Sequence, residues 1–279
     1  MTLRIFSGDT RITAIPANDR GFAYGDGLFE TMRVHRGTLP WWDAHWARLV
    51  TGAQRLQLQL PQRGQVQGEA QALFDDAGDG VLKLVVSRGP TSRGYAPSRE
   101  HVPTWVLSRH PLPTPIASSG LVLRWCATSL AIQPALAGFK HCNRLEQVLA
   151  RAEWNDPASA DGDADEGLMC DTDGNVVCAT AANLFILRDG AWQTPVLDRC
   201  GVAGICRAWL LLETGAREVR LSSEEVESAD AIVLCNAVRG ILAVARLGAR
   251  KWPPHPAVVA LRGQLAQAHP GFAIDAETS

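Results

Sequence analysis

The chain has 279 residues, enough for one large domain or two ordinary ones, and either can bury a substantial core. Hydrophobic residues make up 46% of it and charged residues 20%, and no apolar run approaches the length of a membrane span. The 27 cationic and 29 anionic residues leave a net charge of −2, so electrostatics give no reason to expect nucleic acid or an anionic membrane as a partner.

Strands dominate the predicted elements of the N-terminal part. They are Leu3–Phe6, Ile12–Ile15, Leu28–Val34, Val81–Ser87 and Thr104–Ser108. Period-two alternation places Phe29, Thr31 and Arg33 on one face of the third strand. A helix is predicted to begin near Asp43, with Arg48 off its apolar stripe. That stripe comprises Trp42, Trp46, Leu49, Val50, Ala53 and Leu56.

A proline-rich stretch divides the chain. Pro111, Pro113 and Pro115 alternate before Ser118-Ser119-Gly120, which is typical of a stiff linker with a loose end. Strands and helices are mixed on both sides of it, so the sequence predicts two α/β (α+β) domains. They are a smaller domain over residues 1–112, a linker over 113–120 and a larger domain over 121–279. The acidic run 161–166 lacks the residues of a calcium loop and is predicted to be a solvated surface loop.

The C-terminal part alternates strands with helices. The predicted strands are Leu121–Cys126, Ala182–Arg188 and Asp230–Cys235, and the predicted helices are Asn143–Ala152, Gly204–Glu213 and His255–Ala268.

Lys140, one of only three lysines, directly precedes the first of these helices. The apolar positions Leu145, Val148, Leu149 and Ala152 predict one buried face for this helix. Asn143, with Glu146 three residues later, predicts a capping box at its start. A lysine held beside a rigid helix start is well placed to act as an amine nucleophile. Position alone favours an ordinary solvated lysine, so the assignment depends on the other motifs.

The run Gly201-Val202-Ala203-Gly204-Ile205-Cys206-Arg207 places two glycines at a helix start. Free backbone amides at such a start, with little side-chain bulk, can bind a phosphate group. The sequence contains no zinc signature, Walker loop or dinucleotide-binding glycine motif. An amine nucleophile and an anion cradle are together what pyridoxal phosphate requires.

The order of these motifs is specific. Residues 19–31, 181–185 and 201–207 resemble the signature blocks of the fold-type IV pyridoxal-phosphate enzymes. That class includes branched-chain and D-amino-acid aminotransferases and the aminodeoxychorismate lyases. Residues 86–95 and 140–147 resemble the lyases most. The resemblance extends over residues 3 to 245, which is too long for coincidence.

The resemblance implies roles for individual residues. Lys140 matches the lysine that binds the cofactor covalently, and Arg48 matches the arginine that pairs with its phosphate. Thr31 is implied as a catalytic residue that projects into the substrate pocket. Further cofactor-binding residues are implied at Cys178, Asn183, Gly204, Ile205, Cys206, Asn236 and Ala237.

Cys178 departs from the pattern, because the family usually has there a glutamate that bonds to the pyridine nitrogen. A glutamate keeps that nitrogen protonated and the ring strongly electron-withdrawing. A thiol does so only when it is ionised, and burial opposes ionisation.

The implied activity is the elimination that converts 4-amino-4-deoxychorismate to 4-aminobenzoate and pyruvate, a step of folate biosynthesis. The substrate carries two carboxylates, so arginines are expected in its pocket. The candidate substrate-binding residues are Phe29, Thr31, Arg88, Arg93 and Tyr95, with Arg33 and Arg239 behind them. The alternatives are a D-amino-acid or branched-chain aminotransferase of the same fold, and a non-catalytic relative that acts as a binding protein.

The cellular setting follows from weaker signals. The N-terminus lacks the apolar core of a signal peptide, and seven scattered cysteines suit a reducing compartment, so a cytoplasmic enzyme is expected. The resemblance implies a homodimer that takes a small-molecule substrate, with no nucleic-acid or membrane partner and no metal.

Overall fold

The structure of the protein is a computed structural model that describes residues 2–98, 100–116, 119–155 and 164–273. Residues 117 and 118 of the predicted linker and 161–163 of the predicted acidic loop lie outside this set. The described chain divides into two compact units. The first contains the residues up to Pro113 together with Phe139–Asn143, and the second contains Thr114–Gly138 and the residues from Arg144 onward.

The first unit is built on an antiparallel sheet, which in the described residues has five strands in the order β2-β1-β5-β4-β3. Its strands are β1 (Thr2–Ser7), β2 (Thr10–Ile12), β3 (Gly27–Val34), β4 (Gly80–Ser87) and β5 (Thr104–His110). Its helices are α1 (Arg20–Tyr24), α2 (Trp42–Leu56) and α3 (Arg63–Gln71).

The alternation predicted for β3 is confirmed. Leu28, Met32 and Val34 are buried, whereas Phe29 and Thr31 on the opposite face are partly exposed. Predicted strand Ile12–Ile15 is wrong in its bounds, since the second strand spans Thr10–Ile12. The turn is tight enough for Ser7 to pair with Thr10, so pairing begins directly after Asp9.

The segment that carries Lys140 is an extension of the first unit's sheet. The N–H of Phe29 donates to the carbonyl of Lys140 at 2.9 Å, and the N–H of Cys142 donates to that of Gly27 at 2.9 Å. Phe139 is buried against Gly52 of α2. The segment thus covers the edge strand β3 of this unit, whereas the sequence predicts Lys140 within the C-terminal domain. A long-range strand pairing accounts for the difference.

The second unit is built on a mixed sheet, which in the described chain has the strand order β11-β10-β9-β12-β13-β6-β7-β8, with β14 paired to β13. Its strands are β6 (Leu121–Trp125), β7 (Glu166–Cys170), β8 (Val176–Ala179), β9 (Asn183–Arg188), β10 (Ala191–Pro195), β11 (Arg217–Val219), β12 (Ala231–Asn236), β13 (Gly240–Leu247) and β14 (Arg250–Lys251). Its helices are α4 (Leu145–Ala152), α5 (Ile205–Thr214), α6 (Ser223–Glu227) and α7 (Pro256–Ala268). The core packs leucines and isoleucines of β6, β7, β9 and β12.

The helix after Lys140 exists as predicted, but its predicted buried face is wrong. In α4, Leu145, Val148 and Leu149 are 76%, 59% and 59% exposed, and Ala150 is the buried residue. The capping box is also wrong. Arg144 precedes the helix without a side-chain cap, and the Glu146 carboxylate instead accepts a hydrogen bond from the N–H of Ala131 at 2.8 Å.

In the part of the chain that the structure describes, no helix is both long and apolar enough to cross a membrane.

Candidate active site

Both the backbone and the side chain of Lys140 make specific contacts, so it is not a freely solvated lysine. Its backbone is fixed to β3 by the hydrogen bond from Phe29, and its side chain is partly exposed. The Nζ atom lies 4.3 Å from the centre of the Phe29 ring, where the ring face attracts a cation. The amine is therefore confined to the sheet face that carries Phe29 and Thr31.

A second lysine, Lys83, lies on the same sheet face. It pairs with Thr31 across β3 and β4, and its Nζ atom is 5.4 Å from the centre of the Phe29 ring. Lys83 is not among the site residues expected from the sequence, because the apolar pattern of Val81–Ser87 predicts a buried strand. The available signal was a single charged residue that interrupts an otherwise apolar strand. This face therefore combines two amines, a hydroxyl and an aromatic ring.

Arg48 is fixed by a buried carboxylate. Its Nε donates to Oε1 of Glu30 at 2.9 Å and its Nη2 donates to Oε2 at 2.5 Å. Nδ1 of His45 lies 2.6 Å from the same Oε2. Burial alone would raise the pKa of Glu30, but the charge of Arg48 and the hydrogen bonds from His45 and Arg48 lower it from 4.5 to about 2. Glu30 is therefore ionised at neutral pH and orients the Arg48 guanidinium.

His45 completes this cluster as a neutral residue. Burial lowers the pKa of His45 below its usual 6.5, although the neighbouring Glu30 opposes the shift. A neutral imidazole can donate its Nδ1 proton to Glu30 without placing a further positive charge beside Arg48.

Arg88 belongs to an internal ion-pair cluster. Its guanidinium donates to both carboxylate oxygens of Asp26, at 2.7 and 3.1 Å, and to the carbonyls of Leu56 and Gln57, both at 2.8 Å. The residue is only 3% exposed. Its donors are thus committed within the protein, which argues against the substrate-binding role predicted from the sequence.

Asp26 is shared with a second arginine, Arg20, whose Nε donates to it at 2.7 Å. Burial alone would raise the pKa of Asp26, but hydrogen bonds from Arg88 and Arg20 lower it below its usual value. Arg20 also donates to the carbonyls of Gly94 and Tyr95, at 2.8 and 3.1 Å. The cluster therefore fixes the backbone of the loop that carries Arg93 and Tyr95.

The side chains of Arg93 and Tyr95 are exposed in the described chain. Tyr95 is 85% exposed, and its ring lies 5.4 Å from that of Tyr24. Their roles in substrate binding stay predictions.

In the second unit, the start of α5 offers an anion-binding cradle. Gly204 precedes the helix without a side-chain cap, so the first N–H groups, among them those of Ile205 and Cys206, are available to a ligand. The Nδ2 atom of Asn183 donates to the carbonyl of Val202 at 2.8 Å, which ties the preceding loop to β9. A Cβ atom at Gly204 would lie 2.1 Å from Oδ1 of Asn183, so only glycine permits this packing.

If the start of α5 binds the phosphate of pyridoxal phosphate, as the resemblance implies, Gly204→Ala should weaken binding of that cofactor about tenfold. It should also destabilise the protein by about 1–3 kcal/mol, because Asn183 must move. Titration of the cofactor by absorbance and thermal unfolding measure the two effects. Gly68→Ala is the matched control, since a Cβ at that helical position meets no atom within 4 Å. Unchanged cofactor affinity in Gly204→Ala would contradict the assignment of the cradle.

Asn236 and Ala237 form the turn after β12. The Asn236 Oδ1 atom accepts hydrogen bonds from the N–H groups of Val238 and Arg239, at 3.0 and 2.8 Å, and its Nδ2 donates to the carbonyl of Ala181 at 3.2 Å. The side chain therefore shapes two loops of this unit at once.

Two thiols lie behind the cradle. Cys206 of α5 and Cys235 of β12 are fully buried, and a hydrogen bond between them, together with burial, raises the pKa of Cys206 well above its usual value. Cys206 is thus neutral, and its backbone N–H rather than its thiol is the group suited to an anion.

Cys178 lies on β8 within an apolar cluster that includes Leu130, Met169, Val177 and Cys200. Burial raises the pKa of its thiol from 9.0 to about 12. The nearby carboxylate of Glu166 accepts a hydrogen bond from Thr180. Cys178 is therefore a protonated, neutral thiol at neutral pH and supplies no negative charge.

Comparisons with known proteins agree with this architecture. The model of the family described as amino-transferase class IV matches residues 27–247. The aminodeoxychorismate lyase of Vibrio harveyi is 35% identical over 246 residues, which cover 85% of this chain and 89% of that protein.

Solved structures show the same relationships. The 4-amino-4-deoxychorismate lyase from Pseudomonas aeruginosa is 41% identical with a TM-score of 0.84, and the match covers 94% of this chain and 98% of that one. The branched-chain amino acid aminotransferase from Escherichia coli has a TM-score of 0.83 over 98% of this chain and 97% of its own. At 17% identity it shows a shared fold only.

Proposed function

We propose, since this chain belongs to the class IV aminotransferase family and has its fold-type IV architecture, that it is an aminodeoxychorismate lyase. The reaction converts 4-amino-4-deoxychorismate to 4-aminobenzoate and pyruvate. The main observation behind the proposal is the position of the Lys140 amine over the Phe29 ring. The chain is also similar to such a lyase over most of its length.

The described residues fit pyridoxal phosphate as the cofactor. Gly204 keeps the uncapped start of α5 open to a phosphate, and the Arg48 guanidinium is pre-oriented by Glu30. Lys140 would hold the cofactor covalently, and the N–H groups of Ile205 and Cys206 would bind its phosphate. Bound pyridoxal phosphate supplies an electron-withdrawing ring that stabilises negative charge left on the substrate.

Lys140 would then act as the general base of the reaction. After the substrate amine has replaced Lys140 on the cofactor, the freed Nζ atom would accept the proton from the substrate carbon that bears the amine. The Phe29 ring face stabilises the ammonium that results, because a cation at 4.3 Å interacts favourably with the ring quadrupole. Thr31, through its hydroxyl, and Lys83, through its amine, would orient the carboxylate groups of the substrate from the same face.

Cys178 favours elimination over amino transfer. A neutral thiol leaves the cofactor ring a weaker electron sink than a glutamate would. Loss of pyruvate from this substrate creates an aromatic ring, which provides a driving force within the substrate itself. An amino transfer has no such driving force, so it relies more on the cofactor.

We expect Cys178→Glu to retain lyase turnover within about threefold of the parent enzyme, because the elimination does not depend on a charge at this position. The measurement is kcat for pyruvate release by the cofactor-saturated protein. Cys178→Gln is the matched control, since it adds the same bulk without the charge. A drop of more than about tenfold in Cys178→Glu alone would contradict this reading.

One assay separates the proposal from its rivals. Purified protein with pyridoxal phosphate is given aminodeoxychorismate, and separately an amino acid with a 2-oxo acid. The lyase releases pyruvate and 4-aminobenzoate in equal amounts from the first mixture. Amino transfer in the second mixture without pyruvate release in the first would instead establish an aminotransferase, and activity in neither would favour a binding protein.

The proposal includes a cytoplasmic homodimer, as the resemblance implies. Light scattering of the purified protein tests the dimer, because a monomer has a mass of 30.1 kDa.

A further inference from the structure

The sheet face that carries Phe29 also carries a second amine beside that of Lys140. Lys83 of β4 lies directly opposite Thr31 of β3 and opposite Ser108 of β5. Its Nζ atom is 5.4 Å from the centre of the Phe29 ring, and the Nζ atom of Lys140 is 4.3 Å from the same centre. The two amines are therefore no farther apart than the sum of these distances, and both belong to the first unit.

Within the described chain, no carboxylate offsets the charge of Lys83. Its side chain is partly buried, and none of the described Asp or Glu oxygens lies within 4.0 Å of its Nζ atom. Its neighbours across the sheet carry hydroxyls, and that of Ser108 lies 2.9 Å from Nε2 of His110. An ammonium has three N–H donors and no acceptor, so the donors of Lys83 are available to a ligand.

The proposed elimination needs an acid as well as a base. Lys140 removes a proton from the carbon that bears the amine, and the enolpyruvyl group leaves from the neighbouring carbon with the electron pair of the C–O bond. Protonation of the departing oxygen as the bond breaks lowers the barrier. An amine that is neutral, as the base must be, has no proton to give at the start of that step.

The substrate presents both reacting groups to one side. Its amine and its enolpyruvyl ether are trans on the ring, so the hydrogen to be removed and the departing oxygen lie on the same face of that ring. Lys140 and Lys83 match this arrangement, because their amines lie on one sheet face. The ether oxygen and the enolpyruvyl carboxylate are bonded to the same carbon, so an ammonium that binds the carboxylate also lies close to the oxygen.

We propose that Lys83 is the general acid that protonates the leaving oxygen. The inference rests on the proposed function, since that function supplies the enolpyruvyl group. As the C–O bond breaks, its electron pair stays with the oxygen, which takes a proton from Nζ of Lys83 and leaves as the enol of pyruvate. The carbon proton moves to Nζ of Lys140, and the substrate ring becomes aromatic. Proton transfer through solvent from Lys140 to Lys83 restores both amines, and the enol converts to pyruvate without a further reactant.

The variant Lys83→Arg separates acid catalysis from carboxylate binding. A guanidinium keeps the positive charge and binds a carboxylate, but it does not release its proton in proteins. Lys83→Arg should keep KM for aminodeoxychorismate within about threefold and lower kcat for pyruvate release at least about a hundredfold. Lys251→Met, on the exposed strand β14, is the control and should match the parent enzyme. A kcat of Lys83→Arg equal to that of the parent would overturn the inference.

Deuterium exchange identifies the step that fails. Proton abstraction by Lys140 continues in Lys83→Arg while the oxygen leaves slowly, so substrate recovered from D₂O should carry deuterium on the carbon that bears the amine. The parent enzyme should release pyruvate faster than it exchanges this hydrogen. Loss of both pyruvate release and exchange in Lys83→Arg would also overturn the inference, because Lys83 would then act before the oxygen leaves.

An added amine gives a test that does not depend on how arginine fits. Lys83→Ala leaves space for a small alkylammonium ion, which should raise kcat of that variant at least about tenfold. Tetramethylammonium has the same charge but no transferable proton, so it should not restore turnover. No rescue by the alkylammonium ion, or equal rescue by both ions, would contradict a proton-donating role.

The two proposals fail in different ways. A parent enzyme without pyruvate release from aminodeoxychorismate would refute the proposed function. An active parent enzyme whose Lys83→Arg variant has the same kcat would refute the role of Lys83 alone.

Discussion

Replacement of Lys140 by alanine is expected to lower the turnover of aminodeoxychorismate by at least about a thousandfold, because one amine is assigned both covalent attachment and proton transfer. The measurement is pyruvate release under single-turnover and steady-state conditions. Thermal unfolding of the cofactor-free protein should change little, since the backbone hydrogen bonds of Lys140 do not involve its side chain.

The chain supplies controls for this experiment, because it has only two other lysines. Lys251→Ala, on the exposed strand β14, should match the parent enzyme. Lys83→Ala should keep the covalently bound cofactor but raise KM, since Lys83 lies on the same face and is assigned to the substrate. If Lys83→Ala lost the covalently bound cofactor and Lys140→Ala retained it, Lys83 rather than Lys140 would be the lysine that attaches the cofactor.

Replacement of Glu30 by glutamine should destabilise the protein by about 3 kcal/mol, because it leaves Arg48 and His45 without their buried carboxylate. It should also weaken cofactor binding, since Arg48 loses its orientation. Chemical denaturation at pH 7 measures the first effect and a cofactor titration the second. Glu69→Gln is the matched control, because its ion pair with Arg4 is partly exposed and is expected to be worth less than about 1 kcal/mol.

The pH dependence of this difference has a definite sign. The pKa of Glu30 is about 2 in the folded protein and near 4.5 otherwise, so its contribution is full above pH 4.5 and is lost as the pH falls toward 2. The gap between the parent protein and Glu30→Gln should therefore shrink over that interval. His45 also lowers the stability of the folded protein below pH 6.5. Its pKa is lower in the folded protein than in the unfolded chain, so acid protonates the unfolded chain at a higher pH and favours unfolding. A gap that widened between pH 4.5 and 2 would contradict the ionised state of Glu30.

Local patterns predicted much of the first unit. Alternation in β3 identified the face of Phe29 and Thr31, because a strand with one buried face repeats every two residues. The predicted apolar stripe of α2 is confirmed in part: Trp42, Leu49 and Ala53 are buried, whereas Trp46, Val50 and Leu56 are partly exposed. In each case the signal lies within one element.

Features that depend on distant partners were not predictable in this way. The sequence predicts Arg88 as a substrate-binding arginine. In the structure it pairs with Asp26, which lies 62 residues away in the chain. The apolar stripe of α4 predicts a buried face, but the stripe is exposed. Periodicity alone does not show whether another element covers a face. The pairing of Lys140 with β3 is likewise a long-range contact, and it determines where the amine lies.

The most direct test of the account is borohydride reduction of the purified protein after incubation with pyridoxal phosphate, followed by peptide mapping. Borohydride makes the bond between a lysine amine and the cofactor permanent, and three lysines are available to carry it. The account predicts visible absorption that disappears on reduction and a pyridoxyl group on Lys140 alone. A label on Lys83 or Lys251, or no visible absorption and no label, would contradict it.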